Sequence, residues 1–266
     1  MLMVKLAQVG KKHTPETLAA SRRFDGFKTE TENAVRKAKE MKTDQTIERM
    51  KKAFAQCRLT GDRQAAGYDK VDFCTRNLMF RAKDLETFSI AMADLQDDID
   101  FLRKAGFFLS ALINQSDDKE FVIHTSHLSR PIDSLGYCNK KIVIVNGDVG
   151  DLVGAHMRAG TILVEGNASD SAGSYMKGGS LDIKGNARNW LGSWMEGGLI
   201  TVGHDAGKGV GGNLTGGSII VNGKTLQEIG YEMKGGTIQI NGKVGGVSAG
   251  FEHGKIFNKD KLIFDK

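Results

Sequence analysis

The sequence predicts an α+β protein: an amino-terminal helical bundle or hairpin followed by a single-stranded parallel β-helix of 19-residue coils. Three observations carry this prediction. Gly154, Gly173, Gly192, Gly211 and Gly230 stand 19 residues apart, as do Gly160, Gly179, Gly198, Gly217 and Gly236. Between them runs a column of Met157, Met176, Met195, Leu214 and Met233 at the same interval. After each double glycine the chain alternates: Ile162, Leu181, Ile200, Ile219 and Ile238 form one apolar column, and Val164, Ile183, Val202, Val221 and Ile240 another. Period two with one constant apolar face marks a half-buried strand. No copy has room for a helix, so successive copies stack.

The helical half comes first in the chain and is expected over residues 1–120. Thr14-Pro15-Glu16 is a helix-start signal, since Thr can cap and Pro suits the first helical position. Thr29 and Glu32 have the spacing of a capping box. A third start is read at Thr43-Asp44, followed by Ile47, Met50, Phe54 and Cys57 at 3-4-3 spacing, with Gly61 as the stop. From Val71 to Ile113 apolar residues recur at steps of three and four, interrupted by Arg81 and Gly106. That is a heptad seam, in one long helix or in two broken near Asp84. It fits an internal antiparallel bundle, and it also fits a coiled coil with another subunit.

Residues 121–138 are read as a linker with a first short strand at Phe121–His124, punctuated by Pro131 and Gly136. The β-helix then occupies residues 139–266. Val143 and Val145 extend the two apolar columns one copy upstream, which starts the stack at Lys141. The Ile, Val and Met columns are expected to fill the tube and the glycines to sit at its corners, where φ is positive or coils approach closely. Two irregularities stand out: Gly203-His204-Asp205, and Gly254-Lys255-Ile256, which falls one residue early. The strand Lys261–Phe264 is expected to cap the open end.

Composition narrows the functional classes. With 34 glycines at a period of 19 rather than 3, the chain is not collagen-like. Three separated cysteines, Cys57, Cys74 and Cys138, fit reduced thiols and a cytoplasmic setting. The start of the chain lacks a signal-peptide core, and the longest apolar run, Phe107–Ile113, is too short to span a bilayer. The net charge of +5 is uneven. Residues 1–83 carry 19 basic against 10 acidic side chains, and residues 84–136 carry 4 against 10. The basic segment raises nucleic-acid binding as one reading. Internal pairing between helices explains it more simply, and no nucleic-acid motif is present.

The repeat carries a family resemblance. Residues 166–179, Gly-Asn-Ala-Ser-Asp-Ser-Ala-Gly-Ser-Tyr-Met-Lys-Gly-Gly, and residues 185–198, Gly-Asn-Ala-Arg-Asn-Trp-Leu-Gly-Ser-Trp-Met-Glu-Gly-Gly, resemble the GXGXG repeat domain. That domain forms the C subunit of formylmethanofuran dehydrogenases and the carboxy-terminal domain of the large glutamate synthase subunit. The resemblance covers about residues 140–250. It implies a right-handed β-helix in a structural or docking role, with the chemistry in other domains or subunits. The helical half resembles neither family.

Candidate chemistry is sparse. His124 and His127 could supply two metal ligands but have no third nearby in sequence. His204-Asp205 reads as an acid–base pair or as a turn. The glycines of 203–212 resemble a phosphate loop but lack its Gly-Lys-Ser/Thr ending, and the period accounts for most of them. No catalytic residue, metal site or cofactor is therefore expected. The outward position just before the Met column holds His156, Tyr175 and Trp194, with Trp190 close by, as a candidate interface. The expected function is that of a non-catalytic scaffold or accessory subunit with a protein partner or a homo-oligomeric assembly. Nucleic acid ranks last among partners, and no membrane association is expected.

Overall fold

A computed structural model describes residues 42, 44–59 and 64–266. The helix starts read at Thr14, Thr29 and Thr43, the stop at Gly61 and the first 41 residues of the basic segment lie outside the described residues. The chain divides into Met1–Gln45 and Thr46–Lys266, and nearly everything described belongs to the second unit. The helices from Thr46 onward therefore share one unit with the β-helix.

Helix α1 covers residues 44–56, and its Ile47, Met50 and Phe54, with the following Cys57, are buried on one face. Next come α2 (Gln64–Thr75), α3 (Ala82–Ala91) running into a 3-10 turn (Met92–Leu95), and α4 (Phe101–Gln115). The heptad seam over 71–113 is thus no continuous helix. It is interrupted twice, beside local side-chain hydrogen bonds. The Thr75 hydroxyl donates to the carbonyls of Val71 and Asp72 at the end of α2. Farther on, Asp98 accepts from the Asp100 N–H at 3.0 Å and from Lys104 Nζ at 2.6 Å, and the chain turns there. Ile99, a seam position, is 100% exposed.

Helix α4 is buried from Lys104 to Ile113 on all faces, because it lies between the other helices and the first coil of the β-helix: Phe54, Tyr68 and Phe88 pack on its Phe107 and Phe108. Ser110 Oγ accepts from the N–H groups of Gly136 (2.8 Å) and Tyr137 (3.2 Å). Asn114 Nδ2 donates to the Tyr137 carbonyl at 3.0 Å. Gly106 faces the Asp133 carbonyl so closely that no Cβ would fit. The helices therefore close the amino-terminal end of the tube.

The nine strands of the described residues form one sheet in sequence order. They are β1 (Glu120–His124), β2 (Ile142–Asn146), β3 (Thr161–Val164), β4 (Ser180–Ile183), β5 (Leu199–Val202), β6 (Ser218–Val221), β7 (Lys234–Ile240), β8 (His253–Asn258) and β9 (Lys261–Asp265). All neighbours from β1 to β8 pair in parallel, and β8–β9 is antiparallel. Val143, Ile162, Leu181, Ile200, Ile219 and Ile238 stand in register and are fully buried. So are Met157, Met176, Met195, Leu214 and Met233. Each such side chain contributes roughly 1.5–3 kcal/mol of burial. At the corner, Gly179 has φ +86°, and a Cβ there would lie 2.7 Å from the Gly160 carbonyl oxygen.

The stack starts one coil earlier than the spacing argument places it, since Phe121 pairs with Val143 across 22 residues rather than 19. The one-residue shortening before Gly254 is absorbed by an irregularity between Lys234 and Thr237. The Gly203-His204-Asp205 copy keeps its register. Asp205 belongs to a ladder in which each side chain accepts a backbone N–H from the next coil: Asp148 from Asn167, Asn167 from Asn186, Asn186 from Asp205, and Asp205 from Lys224, at 2.7–3.1 Å. A second ladder runs through Asp133, Asp151, Asp170 and Asn189 to the Lys208 N–H.

Candidate interaction face

Between the second ladder and the Met column the backbone alternates in direction, and this decides which side chains face out. Trp190 N–H reaches forward to the Lys208 carbonyl (2.8 Å), Gly192 N–H back to Ala172 (2.8 Å), and Trp194 N–H forward to Gly212 (2.8 Å). The coil before repeats this with Ser171, Gly173 and Tyr175. Satisfying both neighbouring coils requires positive φ at all three positions. The middle one is the glycine column Gly154, Gly173, Gly192, Gly211 and Gly230, at φ 64–67°. The flanking positions are mostly not glycine. One holds Leu152, Ser171, Trp190 and Glu228, and the other Cys138, His156, Tyr175, Trp194, Asn213 and Glu232, all with φ between 50° and 65°.

For a bulky side chain this conformation is strained. In the second column three consecutive coils nonetheless carry rings. His156 and Tyr175 stack with centroids 4.8 Å apart and planes 3° from parallel, and Tyr175 and Trp194 with centroids 6.0 Å apart and planes 10° from parallel. The row continues toward the helices, tilted, through Tyr137 (5.1 Å from His156) to Tyr68 on α2 (4.9 Å from Tyr137). Exposure grows along it: His156 is half-buried, Tyr175 is 38% exposed and Trp194 is 49% exposed. Trp190 stands in the other column and does not join the stack. It packs over Gly209 and Gly212 and meets Tyr231 edge-on at 6.4 Å. The row ends at Asn213, a residue that tolerates positive φ.

Cations flank the row. One residue past the Met column stand Arg158 and Lys177, with Lys140 in the equivalent place on the first coil, where Arg158 N–H meets the Asn139 carbonyl. Lys177 pairs with Glu196 at 3.2 Å. Burial, then the charges of Lys177 and Arg158, lower the pKa of His156, which holds its ring neutral at pH 7. At the buried end of the row a groove of about 380 Å³ opens between α2 and the first two coils, lined by Tyr68, Asp69, Asn114, Tyr137, Lys140 and Arg158 among others. Burial pushes both tyrosine hydroxyls there up to about 12 and raises the Cys138 thiol. These groups are protonated at neutral pH and offer hydrogen bonds rather than nucleophiles. Tyr68, Asn114 and Tyr137 reach the groove from three separate elements, so no spacing in the sequence announces them.

The remaining candidates are accounted for locally. His124 lies 3.4 Å from Glu86 and 3.4 Å from Asn146, while His127 is exposed. Asp205 serves the Asx ladder and pairs with Lys224 at 3.5 Å. Of the glycines in 203–212, Gly209 and Gly212 make room for the Trp190 ring. Among the described residues no group of three or more His, Cys, Asp or Glu side chains is placed to hold a metal ion. Among them, too, no helix is long and apolar enough to cross a membrane. No protein-family model matches this chain, and no curated protein matches it.

Proposed function

We propose that this chain is a non-catalytic docking body, an accessory subunit of a larger assembly comparable to the C subunit of formylmethanofuran dehydrogenases. One observation carries the reading: His156, Tyr175 and Trp194 form a stacked, increasingly exposed row in backbone positions that disfavour bulky residues. Left-handed backbone at a bulky side chain costs about 1–3 kcal/mol per residue. Ring stacking offsets about 0.5–1.5 kcal/mol per pair. Asn213, in the same column, meets the same backbone demand without a ring. The fold therefore tolerates a cheaper residue there, and large amphipathic aromatics are the side chains enriched where proteins meet. The repeat's likeness to the GXGXG domain supports the accessory-subunit form of the proposal.

The test is affinity purification of the full chain from its native host, with partners identified by mass spectrometry. A stoichiometric partner that carries an oxidoreductase cofactor, and that is lost with Tyr175→Asn/Trp194→Asn, is the expected result. A partner from the glutamate synthase system would support the other branch of the same resemblance. Absence of any stoichiometric partner, or capture indifferent to the double substitution, would overturn the proposal.

A further inference from the structure

Among the described residues the outer edge of β9 is unpaired, and the sequence of that strand is complementary to itself. β9 pairs with β8 on one side only, and no strand of the described residues covers its other side. A terminal element of a stacked fold is ordinarily polar on its outer side. Here Leu262 is 42% exposed and Phe264 41%. Residues 260–266 read Asp-Lys-Leu-Ile-Phe-Asp-Lys. Laid antiparallel against a second copy about Ile263, Asp260 faces Lys266 of the other strand, Lys261 faces Asp265, Leu262 faces Phe264, and Ile263 faces itself. Every charged residue meets its opposite and every apolar residue meets an apolar one, the pairing that stabilises adjacent strands. Moving the centre to Leu262 or Phe264 sets charged residues against apolar ones. Ile263 has no Cα partner on β8, because the register shifts there. Among the described residues, neither Lys261 nor Asp265 makes an ion pair.

We infer that two copies of this chain associate end to end through β9, antiparallel about a twofold axis at Ile263, which continues the sheet across both molecules. The edge is short, so the dimer is a reversible one that forms as concentration rises. This surface lies at the opposite end of the stack from α4 and is independent of the aromatic row.

Sedimentation velocity over a concentration series tests the inference. The native chain is expected to shift toward twice the mass of one chain as concentration rises to several hundred micromolar. Lys261→Asp sets like charges together at both symmetry-related positions and is expected to weaken association about tenfold. Asp265→Lys should do the same, and the double exchange Lys261→Asp/Asp265→Lys should restore association to within a few-fold of native. Far-UV circular dichroism shows whether each variant keeps its fold. A native chain that stays monomeric throughout, single exchanges that leave association unchanged, or a folded double exchange that fails to restore it would each overturn the inference.

Discussion

Met195 lies in the centre of the stack, fully buried between Met176 and Leu214 in its column, and Met195→Lys tests whether that column lines a closed tube. An ammonium placed there has no partner, so the side chain must lose its proton to stay inside. From an ordinary lysine pKa of about 10.4, deprotonation at pH 7 costs about 4–5 kcal/mol, at 1.36 kcal/mol per unit. That is a large part of the roughly 5–15 kcal/mol that holds a protein folded. The sign of the pH dependence follows. The folded-state pKa is depressed below the unfolded value, so between the two the unfolded chain binds the extra proton and stability rises with pH. The deficit should shrink by about 1.4 kcal/mol per unit and nearly vanish close to pH 10. Met195→Leu, which keeps volume and polarity, should cost less than about 1.5 kcal/mol at every pH. Urea titrations followed by circular dichroism at pH 7, 8 and 9 measure both variants. If Met195→Lys matches Met195→Leu at pH 7, or its deficit is flat with pH, the lysine reaches solvent and the column does not line a closed interior.

Three further substitutions probe other parts of the stack. Gly179→Ala forces a side chain into left-handed backbone against the Gly160 carbonyl, and should cost about 2–4 kcal/mol in a urea titration. Asn186→Ala removes the acceptor for the Asp205 N–H, and should cost about 0.5–1.5 kcal/mol, with faster amide exchange at Asp205 as its local signature. Asp133 has its pKa raised, chiefly by burial, so its ionisation opposes folding as pH rises through the carboxylate range. Asp133→Asn, which can retain the acceptor for the Asp151 N–H, should therefore raise the melting temperature at pH 7 and leave it nearly unchanged at pH 3.

The period exposed the architecture because stacked coils ask for the same residue type at each level. The Ile, Val, Met and glycine columns were legible for that reason. So were the Asx ladders in principle, since Asp148, Asn167, Asn186 and Asp205 recur at the same 19-residue interval. The strand of the first coil was legible at Phe121–His124, but its place in the stack was hidden by its 22-residue spacing to the next strand and by the α4 contacts that replace neighbour-coil packing. The heptad spacing over 71–113 says which residues are apolar, and says nothing of the breaks after Thr75, where α2 ends, and around Asp98, where the chain turns before α4. At the candidate face, position relative to the Met column gave His156, Tyr175 and Trp194 as neighbours on successive coils. Their left-handed backbone was not legible, because residue preference points to Gly and Asn there while the demand comes from hydrogen bonds to the flanking coils. The same cause places Trp190 in a separate column, four residues earlier and away from the stack.

The central claim is that the exposed rings serve a partner rather than the fold, and the most direct measurement pairs two readouts on one variant, Tyr175→Asn/Trp194→Asn. Relief of backbone strain at two residues, about 2–6 kcal/mol, should at least offset the two stacked pairs lost, about 1–3 kcal/mol, leaving the variant no less stable than native, while partner capture is lost. A variant that loses several kcal/mol of stability, or that remains stable and captures its partner undiminished, would contradict the claim.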